Sequence, residues 1–254
     1  MIDLHCHILP GIDDGPDDMA GTLAMAREHV ARGTTTVVAT PHVGWDYPNS
    51  AEVIAAGVLE VNAALQAEGI PLEVLPGAEV ALTRAVDMSA EQLGALRLGG
   101  SPWLLLEAPI SVDAPGIDGL VGIVQSRGVR VLLAHPERCA SFHTDPDLLA
   151  RLIAGGCLAQ VTAGALTGFF GRTVQAAARR YVDAGLVHVV ASDSHDDRHR
   201  APGMGEQMDD AGYGPLRAWM AADVPRALLD GVPAPPRPPF TPVRPRRRLR
   251  LFGR

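Results

Sequence analysis

Two histidines two residues apart, His5 and His7, close the first apolar run of the chain, and Asp193 and His195 repeat that spacing far downstream. On an extended strand such pairs project to one side, so each pair can grip a single cation. Between them stand His42 after Thr40-Pro41, Glu79 and Glu107 at or beyond the ends of apolar runs, and His135 before Pro136. Asp13 and Asp14 lie in a loop bounded by Pro10, Gly11, Gly15 and Pro16. Imidazole and carboxylate together suit Zn, Mn or Fe. Taken singly, each feature has a plainer reading. An HxH pair can be a core or surface accident, and Asp13-Asp14 can be a turn leading to the N-cap of a helix near Asp18. Taken together they cannot be bland, because five imidazoles and four carboxylates converging without cations would repel and be costly to bury. Bound divalent ions turn the same groups into a ligand network, so the sequence makes most sense metallated.

The elements that must position these groups are short. Apolar, β-branched or leucine-rich runs recur at residues 2–5, 35–40, 72–76, 103–107, 129–134, 157–161 and 187–191, giving seven candidate strands. Segments of helical period separate them, at 18–32, 51–68, 116–126, 145–154 and 172–184, each closed by a nearby glycine. Strict alternation implies parallel strands with right-handed crossovers, which fits both an open sheet and a closed barrel. Placement of the polar residues favours the barrel, where functional groups gather at the C-terminal ends of several strands. After residue 215 one further helix (216–229) is expected, and then a Pro-rich extended stretch. The domain reading is a barrel over 1–230 and a Pro/Arg-rich tail over 231–254.

Composition limits the alternatives. The 254 residues are 47% hydrophobic with a formal charge of −7, which describes a globular chain. All 22 basic side chains are arginines, and six of them fall in the last eleven residues, so the remainder is more acidic than the whole. An acidic body argues against nucleic-acid binding. The terminal RRRLRLFGR reads as a solvated tail, with weak attraction to an anionic membrane surface as the alternative. Cys6, Cys139 and Cys157 form no CxxC pair and are odd in number, which suits a reducing compartment and hence the cytoplasm. No basic segment followed by an apolar stretch opens the chain, and no apolar run of about 18 residues occurs, so neither export nor a transmembrane segment is expected.

Rival chemistries leave no trace. A phosphate-cradling cysteine needs an arginine six residues on, where this chain has Ile12, Asp145 and Ala163. There is no GxSxG elbow, and a GxxxxGK loop is impossible without lysine. Of the other histidines, His29 is expected on a helix surface and His188 in a strand with a satisfied ring.

Read together, HCHILPGIDDGP (5–16), TPH (40–42), GAEV (77–80), LLLEAP (104–109), AHPER (134–138), TAGALTGFFG (162–171) and ASDSH (191–195) resemble the polymerase-and-histidinol-phosphatase superfamily. Within it they are most similar to the bacterial metal-dependent tyrosine phosphatases of capsule and exopolysaccharide gene clusters. The resemblance implies a distorted seven-stranded, TIM-like (β/α) barrel with up to three divalent ions, manganese first, iron or zinc as alternatives. His5, His7, Glu79 and Asp193 would hold one ion, Glu79, Glu107 and His135 a second, and Asp14, His42 and His195 a third. Alignment selects Asp14 over Asp13, which spacing does not. Arg138 and Arg200 match positions that hold phosphate, for which a planar guanidinium is suited. Where many relatives carry an aromatic residue after HPER, this chain has Cys139, which leaves recognition of the substrate ring open. The implied reaction is hydrolysis of phosphotyrosine by a metal-bridged hydroxide, on the tail of a tyrosine autokinase that governs polysaccharide export. A small-molecule phosphatase acting on histidinol phosphate is the alternative, and a non-catalytic metal- or phosphotyrosine-binding regulator is a third reading.

Overall fold

The computed structural model describes residues 1–241, and the Arg-rich end (242–254), with the membrane contact expected of it, lies outside the described residues. Nine strands occur among the described residues: β1 (Ile2–Cys6), β2 (Thr36–Ala39), β3 (His42–Val43), β4 (Glu73–Pro76), β5 (Glu79–Ala81), β6 (Trp103–Glu107), β7 (Arg130–Ala134), β8 (Leu158–Thr162) and β9 (Val189–Ala191). Every named pairing is parallel, as the strand-helix alternation requires.

The seven expected runs are β1, β2, β4, β6, β7, β8 and β9, and two further short strands, β3 and β5, follow β2 and β4 after breaks next to the functional residues. Pro41 has no amide hydrogen to donate to a ladder, so β2 stops at Ala39 and the chain resumes pairing at His42. At the second break Gly77 lies so close to its neighbours that a Cβ there would sit 2.7 Å from Val38 Cγ1, which no side chain tolerates. The breaks divide the pairing into a β1-β2-β4 sheet and a β3-β5-β6-β7-β8-β9 sheet. Two backbone bonds carry β1 to the chain just after β9, Asp193 N–H to His5 O and His7 N–H to Ser194 O, both 2.9 Å. The architecture is therefore α/β with parallel sheets.

Leu104, Leu105, Leu106, Leu132 and Leu133 are all buried, so the central strands β6 and β7 are covered on both faces. Helices Met19–Ala31, Ala51–Ala67, Ile117–Gln125 and Arg172–Asp183 form close to their expected bounds, and Ile117–Gln125 packs against β7. Asp18 and Ser50 cap the first two by accepting amide hydrogens from Gly21 and Val53. The single helix expected over 216–229 is instead a 3-10 turn (Gly214–Leu216), a π turn (Trp219–Asp223) and an α-helix (Val224–Leu229). Pro225 accounts for the change, since it cannot donate to the preceding turn. Beyond it the chain runs along the body: Trp219 Nε1 donates to Pro235 O (3.0 Å) and Arg237 Nη2 to Val182 O (2.8 Å). No helix among the described residues is long and apolar enough to cross a membrane.

Candidate metal centre

All nine candidate ligands meet at one mouth, and Glu79 is its hub. Its Oε2 lies 3.2 Å from His5 Nε2, 3.4 Å from His7 Nε2 and 3.1 Å from His42 Nδ1, while Oε1 lies 2.8 Å from His135 Nε2. His5 Nε2 and His7 Nε2 also face each other at 3.2 Å, and Asp193 Oδ1 sits 3.5 Å from the first of them. Four overlapping groups have donor atoms within 4.8 Å of one another: His5/His7/Asp193, His5/Glu79/His135, His42/Glu79/Glu107 and His7/Asp14/His42/His195. Despite three imidazole nitrogens around it, Glu79 Oε2 is buried with no hydrogen-bond partner, as is His195 Nε2. Lone pairs converging on points rather than pairing with protons are what a set of metal ligands looks like, and the mixture of imidazole and carboxylate fits Mn, Fe or Zn.

The Asp13-Asp14 step separates into two roles. Asp14 reaches into the mouth, its Oδ1 3.2 Å from His195 Nε2 and 3.5 Å from His42 Nε2. Asp13 turns behind it, accepting from His7 Nδ1 (2.7 Å), the His42 amide (3.0 Å) and the Gly15 amide (3.0 Å). A carboxylate on Nδ1 fixes the tautomer that leaves Nε2 free to face the centre. Gln160, which gave no sequence signal beyond being a polar residue in an apolar strand, does the same for His5: its Oε1 lies 3.1 Å from His5 Nδ1.

His135 (φ 27°) and Asp193 (φ 51°) are the only non-glycine residues with positive φ among the described residues. Each follows the last residue of a strand or nearly so, and each turns its side chain into the mouth. Left-handed backbone at such residues costs of order 1–3 kcal/mol and persists where the surroundings impose it.

Charge is strongly coupled here. Burial would raise the Glu79 carboxyl, but His5 and His135 prevail and hold it well below the usual range. For Glu107 burial first, and the Glu79 charge second, push the carboxyl up to about 8. Burial disfavours the His7 cation, yet Asp13 and Glu79 raise that imidazole to about 10. The two arginines close the same side: Arg138 Nη1 is 2.6 Å from Asp193 Oδ2, and Arg200 Nη2 is 2.8 Å from Asp193 Oδ1. The Arg138 guanidinium rests on the Phe170 ring at 4.6 Å.

One sequence reading needs correction. His29 is not on a helix surface but wholly buried, with Nε2 3.3 Å from Cys6 Sγ and 3.2 Å from Ser194 Oγ. Its helix turns that face toward β1, where small polar groups accept the ring. Cys139, after Arg138, is buried and donates to Ala108 O (3.3 Å).

Parallel α/β architecture with imidazoles, carboxylates and guanidiniums crowded at one mouth defines the class: an α/β protein with a candidate polynuclear metal centre. The chain belongs to the family described as capsular polysaccharide synthesis, CpsB/CapC, whose family model matches residues 1–211. It is 37% identical over 201 residues to the tyrosine-protein phosphatase YwqE of Bacillus subtilis (strain 168), covering 79% of each chain. It is 28% identical over 238 residues to the tyrosine-protein phosphatase CpsB of Streptococcus pneumoniae, covering 90% of this chain and 98% of that one. A crystal structure from work on YwqE and CpsB, described there as unique metal-dependent tyrosine phosphatases, superposes with a TM-score of 0.81 at 32% identity. The superposition covers 96% of this chain and 100% of that one.

Proposed function

We propose that this chain is a metal-dependent protein-tyrosine phosphatase. The observation that carries the reading is Glu79 Oε2, buried, unpartnered and ringed by nitrogens of His5, His7 and His42. His5, His7, Glu79 and Asp193 would hold one divalent ion, Glu79, Glu107 and His135 a second, and Asp14, His42 and His195 a third, with manganese preferred over iron or zinc. Bound there, such ions supply Lewis acidity and acidify water to near neutral pKa. The chain's own residues do the rest. Asp13 and Gln160 orient His7 and His5, while Arg138 and Arg200 turn from Asp193 to the phosphoryl oxygens and take the catalytic and substrate-binding roles. A tyrosine phenolate, whose parent pKa is about 10, leaves with little proton assistance.

The finer architecture belongs to the same proposal. Joining β2 to β3 and β4 to β5 as single interrupted strands, and β1 to β9 through the Cys6–Ser194 bridge, gives a distorted seven-stranded TIM-like barrel. The barrel occupies 1–230, and 231–254 is its appendage. The physiological substrate in this reading is the phosphorylated tail of a tyrosine autokinase in the cytoplasm, a partner suggested by the capsular family. The deciding experiment is elemental analysis of gently purified protein, with turnover of a phosphotyrosine peptide and of histidinol phosphate measured before and after chelation. The peptide is expected to be hydrolysed, to lose turnover on chelation and to regain it with manganese. Turnover that survives complete metal removal overturns the proposal, and preference for histidinol phosphate moves it to the small-molecule class.

A further inference from the structure

Two aromatic side chains stand open beside the mouth, each at a different opening. Phe169 (57% exposed) borders a cavity lined by Asp193 and Arg200, and Trp45 (66% exposed) borders a groove lined by His42 and Glu107. The cavity on the Arg200 side has a volume of about 20 Å³, room for roughly one water. The groove on the Trp45 side has about 230 Å³ and is walled by Gly44, Trp45, Tyr47 and Thr83.

Trp45 is displayed on a built platform. Gly44 N–H donates to Tyr47 O at 3.0 Å, Val43 bridges Pro48, and Asn49 Nδ2 donates to both Ile12 O (3.0 Å) and His42 O (2.9 Å). Tyr47 stacks on His42 at 5.5 Å and 15°. One face of the Trp45 indole is backed by the Arg84 guanidinium at 5.1 Å, which leaves the other open.

Resting on the phosphatase reading above, we infer that this groove receives the polypeptide flanking the phosphotyrosine, with Trp45 stacking on an aromatic side chain next to it. The direction follows from the arginines. Arg138 and Arg200 both sit at Asp193, so the phosphoryl group is drawn to that side and the leaving group must extend away from it. Of the two openings, the groove that begins at His42 and Glu107 is the roomier, with space for a ring and the chain behind it. Arg84 behind the indole makes the stack a charge-assisted one, since a polarised indole face holds a second ring well.

The test compares Trp45→Ala, Trp45→Phe and Phe169→Ala on three substrates: a phosphotyrosine peptide with a flanking tyrosine, the same peptide with flanking glycine, and p-nitrophenyl phosphate. Trp45→Ala is expected to raise KM for the first peptide roughly threefold to tenfold, the range of an aromatic pair, with kcat unchanged. It should leave the glycine peptide and p-nitrophenyl phosphate unaffected, Trp45→Phe should restore most of the loss, and Phe169→Ala should do nothing. Direct binding gives an independent readout. Trp103 and Trp219 are buried, so a peptide bearing a non-hydrolysable phosphotyrosine analogue should quench mainly Trp45 fluorescence. Equal losses on all three substrates, no loss on any, or a larger effect from Phe169→Ala would each overturn the inference while leaving the phosphatase reading intact. Failure of the unsubstituted, metal-loaded protein to hydrolyse any phosphotyrosine peptide overturns both.

Discussion

Strand β1 feeds two polar clusters with similar inventories and opposite characters. At the mouth, His5 and His7 join three further carboxylates and two guanidiniums around Glu79. Behind the strand, Asp3, Cys6 and His29 meet Ser192 and Ser194, all buried. There too three donor atoms lie within 4.8 Å. The closed cluster nevertheless spends its groups on backbone and hydroxyls: Asp3 Oδ1 accepts from the His5 amide (3.3 Å) and the Ser192 amide (3.1 Å), and Ser194 Oγ lies 2.8 Å from Ser192 Oγ. It holds one carboxylate and no arginine. Residue type therefore does not distinguish a site from a core network, and neither does an unpartnered atom, since Asp3 Oδ2 and His29 Nδ1 are also buried without a hydrogen-bond partner. Excess like charge and open access do.

The sharpest way to break that contrast is Glu79→Gln. Losing the charge at the hub of the proposed centre forfeits several kcal/mol of electrostatic stabilisation, so phosphatase turnover is expected to fall roughly a thousandfold with the fold retained by circular dichroism. A smaller effect belongs to Arg138→Ala, expected to lower kcat/KM for a phosphotyrosine peptide by about a hundredfold, mostly through KM, comparable with loss of a preorganised donor. Unchanged kinetics would remove Arg138 from the site. Asp13→Asn, which disturbs only the carboxylate behind His7, should weaken metal binding in calorimetric titration by about 10- to 100-fold. If affinity is untouched, Asp13 belongs with the turn and not with the centre.

The closed cluster is expected to answer in stability instead. Burial keeps the His29 imidazole neutral, its pKa lowered to about 3. Since the unfolded value is about 6.5, the unfolded chain binds the extra proton, and the stability from this group, complete above 6.5, is lost as pH falls toward 3. Asp3 has the opposite sign: raised to about 6 by burial, its contribution is complete below about 4 and lost as pH rises through 6. His29→Asn should therefore melt lower by about 1–3 kcal/mol at neutral pH, lose less stability than the parent on acidification, and keep its kcat. A drop in kcat without a drop in melting temperature would make the two clusters one.

The candidate site was unusually readable because ligand types at i and i+2 spacing sit at strand ends, where few other pressures place them. His5-x-His7 and Asp193-x-His195 announce themselves, and proline after Thr40 and His135 marks the stops. What escaped has physical reasons. Gln160 carries no charge and no motif, so only its position in an apolar strand could have flagged it. His29 follows helical spacing that looks solvent-facing until the partners Cys6 and Ser194 arrive from distant sequence. Asp13 and Asp14 differ only in backbone direction, which composition does not encode. The α/β class with parallel strands was legible from alternation and the break at Pro41 from the proline itself, whereas the close approach of Gly77 to Val38 depends on packing.

The left-handed backbone at His135 and Asp193 carries a lesson for anyone who evolves this protein in the laboratory. Glycine is at ease in that conformation and the native side chains are not. A screen that rewards heat resistance alone will be drawn to those two codons, and under the proposed ligand roles hardier descendants selected there would be silent ones. Durability and usefulness pull apart at two points of the chain, so a selection scheme should keep both codons out of its library.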